Sequence, residues 1–351
     1  MTKTRLRTLL LPLVAALLLL AWTSSGRAGA APAATAATTK TEGVPAFGHV
    51  FTIIGENTEL GQVNKTNAPY LIGTLKPTAA WLTDYFAVTH FSEANYAAMT
   101  SGQFTSCQQF DGSIASCHQQ TPNLFRQLTD ASVSWRSWME SMPTPCQVTS
   151  AGGPKTLNHY APKHNPAVFY DDVEGLGGVW SADPAGQSQL CKTQDIATGS
   201  ATVGNDMSGF DTALAQAKYA TFPRFNYVVP NECEDGHDNC QPQGNGVTQF
   251  DAFLAREVPK IMSSPAFGRD GLLIITYDEG TSNQGPGSSK QFDGGGNVIF
   301  AALGPLVQRG TYGGSFNHYS LLRTWEDGFG ISEHAGLAGD PGTSPINTIW
   351  R

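Results

Sequence analysis

Two short apolar runs dominate the pattern, "HVFTIIG" from His49 to Gly55 and "LLIITY" from Leu272 to Tyr277. Both are short for a helix, and near-continuous apolar character over such a length marks a strand buried on both faces. Each run stops at two polar residues, Glu56-Asn57 in the first and Asp278-Glu279 in the second. Tyr85–Thr89, Phe225–Val229 and Asn297–Leu303 carry the same signature and predict further strands. Between them the period changes. In residues 247–264, Phe250, Phe253, Leu254, Val258, Ile261 and Met262 recur at three- and four-residue steps, the stripe of an amphipathic helix. Leu321, Leu322, Trp325 and Phe329 repeat it over 318–330, with Gly330 as a stop signal. Apolar strands alternating with such helices predict an α/β fold, a three-layer α/β/α sandwich around a mostly parallel sheet.

The N-terminus differs. Lys3, Arg5 and Arg7 precede an apolar run from Leu9 to about Trp22, and small residues follow. That order predicts a secretory signal peptide over 1–30 and a flexible leader over 31–44. The run is short for a bilayer span, which takes about 20 residues. No later run is longer, so the mature chain is expected to be exported without a stable membrane anchor. Residues 45–351 read as one domain. Its six cysteines, an even number in an exported chain, predict disulfides. Proximity favours Cys107–Cys117 and Cys233–Cys240, leaving Cys146–Cys191. A cysteine zinc site is the rival, but no Cys-x-x-Cys pair occurs. Four cysteines and many Gly, Pro and Ser residues fall between about 104 and 200, which reads as a disulfide-tied insertion. Residues 280–296 form a long glycine-rich loop directly after Asp278-Glu279.

Charge narrows the function. Four basic residues, Lys3, Arg5, Arg7 and Arg27, belong to the expected signal peptide, and without them the formal net charge of −8 becomes −12. Such a surface does not attract nucleic acid. It also suits an anionic substrate poorly unless a bound cation inverts the local field.

Ligands of open α/β sheets bind beyond the carboxyl ends of the strands. The residues that follow the strands are Glu56-Asn57, Asn231 and Asp278-Glu279, with His237 beyond Asn231. Clustered carboxylates repel one another, and a divalent cation between them removes that cost. Carboxylate and carboxamide oxygens suit calcium, magnesium or manganese. Solvated acidic turns are the simpler account of any one pair; several at matching positions favour a metal. After Tyr85–Thr89, Ser92 stands where a helix N-cap would, ahead of a short helix Glu93–Thr100 that Gly102 ends. On local residues alone Ser92 is a cap. The sharper alternative is a serine facing bound phosphate at a helix N-terminus.

The order of motifs resembles the bacterial phosphoesterase family of the alkaline-phosphatase superfamily, which includes secreted acid phosphatases and phospholipases C. "HVFTIIGENTE", "THFSEANYAAMTSG", "YAPKHNPAVFY", "VVPNECEDGHDNC", "IITYDEG" and "FNHYSLLRTWEDGFGI" occur in the family's order across roughly 47–332. Phe91 stands where the family segment usually has proline, Ala94 replaces a proline before Asn95, and Tyr277 sits where tryptophan is frequent. The resemblance implies an alkaline-phosphatase-like fold and hydrolysis of phosphoric esters through a phosphoserine on Ser92. It implies metal held by Glu56, Asn57, Asp278 and Glu279, with zinc as the superfamily's precedent. His237 or His318 would act on the leaving oxygen, and Asn95, His164, Asn231 and Asp235 would contact substrate.

A sulfatase would carry a Cys/Ser-x-Pro-x-Arg nucleophile signature, whereas Ser92 is followed by Glu-Ala-Asn-Tyr. A non-catalytic binding module is the rival from another class. A small phosphate monoester is favoured over a phospholipid head group cleaved by a phospholipase C. Oligomeric state has no signature in the sequence.

Overall fold

The computed structural model describes residues 40–103, 107–285 and 294–351. The expected signal peptide, most of the leader and the middle of the glycine-rich loop lie outside the described residues.

The strands His49–Gly55 (β1), Ala80–Leu82 (β2), Trp135–Met139 (β3), Asp195–Ala197 (β4), Phe225–Val229 (β5), Gly271–Tyr277 (β6), Phe300–Leu303 (β7) and Gly310–Tyr312 (β8) form one eight-stranded sheet. Its order is β8–β2–β7–β6–β1–β5–β3–β4. β7 runs antiparallel to both neighbours, and every other pair is parallel. This is the expected α/β sheet, mostly parallel, with helices flanking it. All residues of β1 and β6 are buried, which is why those strands read as unbroken apolar runs. Fully burying an aliphatic side chain contributes about 1.5–3 kcal/mol, so Ile53, Ile54, Leu272, Leu273, Ile274 and Ile275 make this pair the centre of the core.

The two amphipathic stretches form helices Gly246–Ser263 (α2) and His318–Phe329 (α3). Asn245 caps the first, its side chain accepting from Thr248 N at 3.0 Å. Asn317 caps the second by accepting from Tyr319 N and Ser320 N. Met262, expected in the apolar stripe, is exposed instead. The short helix begins one residue early, as Ser92–Ser101 (α1), and Gly102 ends it at φ 69°. A Cβ at Gly102 would sit 2.3 Å from Ala335 O, so the close approach requires glycine as well as the left-handed turn.

Three expectations change. Tyr85–Thr89 is not a strand of the central sheet. Only Tyr85–Phe86 is extended, pairing with Phe316–Asn317, while Val88 N and Thr89 N bond to the Asn95 side chain. Asn297–Leu303 shortens to Phe300–Leu303. The stretch read as an insertion, about 104–200, supplies β3 and β4 to the sheet, so it is partly framework. Arg136 and Ser137 interrupt β3's apolar pattern, and β4 is a three-residue edge strand, which hid both from periodicity.

The disulfides are Cys107–Cys117, Cys146–Cys191 and Cys233–Cys240, the pairing that proximity favours. Cys146–Cys191 closes the longest loop, with a sequence separation of 45. Replacing both of its cysteines with serine is expected to lower the unfolding free energy by about 4 kcal/mol on the chain-entropy account. The readout is the urea unfolding midpoint, and an unchanged midpoint would contradict the bridge's stabilising role.

Candidate active site

The register of the two central strands builds the site. Gly55 pairs with Tyr277, so Glu56 and Asp278 leave the sheet side by side. Asp278 N donates to Gly55 O at 3.0 Å, and Asn57 N donates to Asp278 Oδ1 at 3.0 Å. Asn57 sits at φ 52°, a left-handed turn that asparagine tolerates better than most residues. From the loop after β5, Asp235 O accepts Glu56 N at 2.9 Å. Glu56, Asp235, Asp278 and Glu279 are all buried at this carboxyl edge.

Their environment is hostile to charge. Burial, then the charges of Asp278 and Asp235, hold Glu56 well above the usual carboxylate range. Burial and then the neighbouring Glu279 push Asp278 up to about 7. Asp235 is raised chiefly by burial and then by Glu232. Asp278 Oδ2 and Asp235 Oδ2 have no hydrogen-bond partner.

Ser92 faces this cluster. Phe91, not Ser92, is the N-cap of α1 and makes no side-chain cap bond. Ser92 Oγ instead donates to Glu56 Oε2 at 3.0 Å and lies 3.4 Å from Glu279 Oε1. The capping role is therefore replaced by a bond into the carboxylates. One turn further along α1, Tyr96 OH donates to Glu56 Oε1 at 2.7 Å. His90 pairs with Glu279 Oε2, and that contact raises the His90 pKa. Tyr96 and His90 escaped the sequence reading, although both lie within four residues of Ser92 and Tyr96 shares its helical face.

His164 is buried beneath the cluster. Its Nε2 lies 3.4 Å from Glu56 Oε1 and its Nδ1 3.3 Å from Asp235 Oδ2, with its ring stacked on Tyr96 at 5.2 Å. Burial and the neighbouring Lys163 hold it well below the usual histidine range. His237 stands at the rim, its side chain 26 % exposed, with Lys163 Nζ 3.4 Å from its Nε2. Lys163 also bonds Asp111 Oδ2 at 3.0 Å.

Three predicted site residues have other tasks. Asn95 spends both ends of its carboxamide on the turn before α1, donating to Thr89 O and Phe91 O and accepting from Val88 N and Thr89 N. Asn231 clamps its own loop, accepting from Cys233 N and Glu234 N and donating to Leu157 O. Neither has a group left to aim at substrate. His318 is fully buried, with Nε2 on Asp278 O at 2.6 Å and Nδ1 on Tyr85 OH at 2.9 Å. Burial lowers its pKa to about 4, so it is neutral near pH 7 and holds the Asp278 backbone instead of supplying a proton.

The donor set fits a divalent cation. Asp278 Oδ2 and Asp235 Oδ2 are buried and unpartnered, and ligand atoms of Glu56, His164 and Asp235 lie within 4.8 Å of one another. Oxygen donors with one imidazole suit several metals. Without a cation, burying these carboxylates together is unfavourable.

Residues 51–332 match the model of the Phosphoesterase family. The chain belongs to this family. As a Phosphoesterase-family member it is a hydrolase acting on phosphoric esters. It is 26 % identical to the phosphatidylinositol-3-phosphatase of Mycobacterium tuberculosis, covering 88 % of this chain and 84 % of that protein. To the phosphate-repressible acid phosphatase of Penicillium chrysogenum it is 25 % identical, covering 71 % of this chain and 52 % of the fungal protein, about half its length. In fold it resembles an alkaline-phosphatase-superfamily protein from Vibrio parahaemolyticus (TM-score 0.51, 12 % identity, 84 % of this chain and 69 % of that chain). It likewise resembles murine ectonucleotide pyrophosphatase/phosphodiesterase 5 (TM-score 0.52, 11 % identity, 82 % and 97 % covered). The fold is that of the alkaline-phosphatase superfamily.

The Asn95 clamp is separable from a substrate contact. Asn95→Ala leaves several buried backbone groups unpaired and is expected to cost about 2–3 kcal/mol of stability, with a lower Tm and a fall in kcat. A rise in KM at unchanged Tm would instead make Asn95 a substrate ligand.

Proposed function

We propose that this phosphoesterase is a secreted, metal-dependent phosphomonoesterase that works through a phosphoserine on Ser92. The observation that carries the reading is the Ser92 hydroxyl, buried at a helix start and hydrogen-bonded into the carboxylate cluster. The phosphatase names of the two relatives support a monoester over a diester. Three disulfides support export, and no helix among the described residues is long and apolar enough to cross a membrane.

Glu56, Asn57, Asp278 and Glu279, with Asp235 and His164 beside them, would hold the divalent cation, whose charge offsets that of the phosphate and favours the alkoxide form of a nearby hydroxyl. Ser92 Oγ adds in line to phosphorus while its proton leaves along the bond toward Glu56. The phosphorus–oxygen bond to the alcohol breaks, and His237 at the rim protonates the departing oxygen. The N-terminus of α1 favours the phosphate charge. Water then attacks the phosphoserine, returning phosphate and the free hydroxyl. Tyr96 orients Glu56, and His90 orients Glu279.

Ser92→Ala is expected to reduce kcat on p-nitrophenyl phosphate by about 10⁴-fold or more with Tm little changed; wild-type-like turnover would remove the nucleophile. Exhaustive chelation should abolish activity, and a divalent salt should restore it. Full activity after chelation would remove the metal from the mechanism.

A further inference from the structure

We propose that the cavity beside the phosphoryl centre is the alcohol subsite and that it selects a polyhydroxylated alcohol, as in a sugar- or polyol-type phosphate monoester. The proposal rests on the phosphomonoesterase reading and specifies its substrate class. The cavity holds about 450 Å³, and its walls include Asp111, Thr149, Ser150, His159, Lys163 and Glu232. That volume suits a small organic ligand, for which about 300–1,000 Å³ is typical.

Its walls connect directly to the chemistry. Asp111 Oδ1 accepts the backbone N–H of Glu93, the residue after Ser92, at 3.0 Å. Lys163 Nζ bridges from Asp111 Oδ2 at 3.0 Å to His237 Nε2 at 3.4 Å. An ester whose phosphorus stands over Ser92 therefore has its alcohol portion within reach of this wall.

The lining discriminates among alcohols. Two carboxylates accept, an ammonium and an imidazole donate, and the hydroxyls of Ser113, Thr149 and Ser150 do both. A ligand rich in hydroxyls can answer all of these, because each hydroxyl donates and accepts at once. A second phosphate on the ligand would face Asp111 and Glu232, while Lys163 is already engaged by Asp111. No phenylalanine, tyrosine or tryptophan is among the described lining residues, so a nucleobase has only the His159 imidazole to stack on. An acyl chain would leave the Asp111, Lys163 and Glu232 side chains on the wall without an answering polar group.

The test compares kcat/KM for glucose 6-phosphate, glucose 1,6-bisphosphate and AMP, each of which carries a phosphate on a primary alcohol, with release from C6 of the bisphosphate read as formation of glucose 1-phosphate. The subsite predicts at least a tenfold preference for glucose 6-phosphate; equal or better turnover of the bisphosphate or AMP overturns it. Ser150→Trp, at an exposed position on the wall, should lower the ratio of glucose 6-phosphate to p-nitrophenyl phosphate activity at least tenfold. A variant that changes neither this ratio nor the corresponding ratio for a lipid-borne polyol phosphate also overturns it. Because the same polyol chemistry is found on lipids, phosphatidylinositol 3-phosphate in phosphatidylcholine vesicles forms a parallel arm. A Ser150→Trp loss confined to the free sugar ester or to the lipid head group supports the subsite and identifies its source. If wild type hydrolyses no monoester at all, including p-nitrophenyl phosphate, it is the phosphomonoesterase reading that fails.

Discussion

Carboxylates brought together out of water are the constraint around which this molecule is arranged. Glu56, Asp235, Asp278 and Glu279 are buried at one end of the sheet, and no lysine or arginine forms an ion pair with any of them among the described residues. A cluster of anions in a low-dielectric setting must be protonated or must meet a cation. Most of the distinctive local features follow from holding that cluster in place. Tyr96 and Ser92 reach it from α1, His90 and His164 reach it from loops, and His318 fixes the Asp278 backbone from below.

The scaffold makes the cluster possible because its placement is set by main-chain register. β1 and β6 are the longest fully buried strands, and their pairing fixes Glu56 against Asp278 before any side-chain preference enters. The loop after β5 completes the set. Cys233–Cys240 brackets it, with Asp235 and His237 between the two sulfurs and Asn231 clamping its start. A loop of this kind would otherwise sample many conformations, and the bridge and clamp confine it where the chemistry needs two of its side chains.

The sequence made legible what depends on local pattern. The buried strands, the two amphipathic helices and the acidic ends of β1 and β6 were visible because period and abrupt polarity change are local signals. The disulfide pairing is the one that proximity along the chain favours among the fifteen that six cysteines allow. Less visible was what depends on tertiary partners. β3 contains Arg136 and Ser137, and β4 is three residues long, so neither carries a periodic signature. Asn231 looks like a site residue on a strand-end argument and Asn95 through the family resemblance, yet their amides are consumed by nearby backbone groups. His318 has the position of a catalytic histidine in the sequence, but burial keeps it neutral and both its nitrogens are occupied. Conversely, Lys163 beside His164, and Tyr96 one turn after Ser92, gain their significance only when distant loops meet.

Calorimetric titration of the chelated protein with a divalent cation tests the central claim most directly, because it reads the carboxylate cluster independently of turnover. Manganese, calcium and zinc would each be titrated into wild type and into Asp278→Asn. The account predicts saturable, stoichiometric binding of at least one of them to wild type, and a large loss of affinity in the variant. Absence of stoichiometric binding to folded wild type, or equal binding by both proteins, would contradict it.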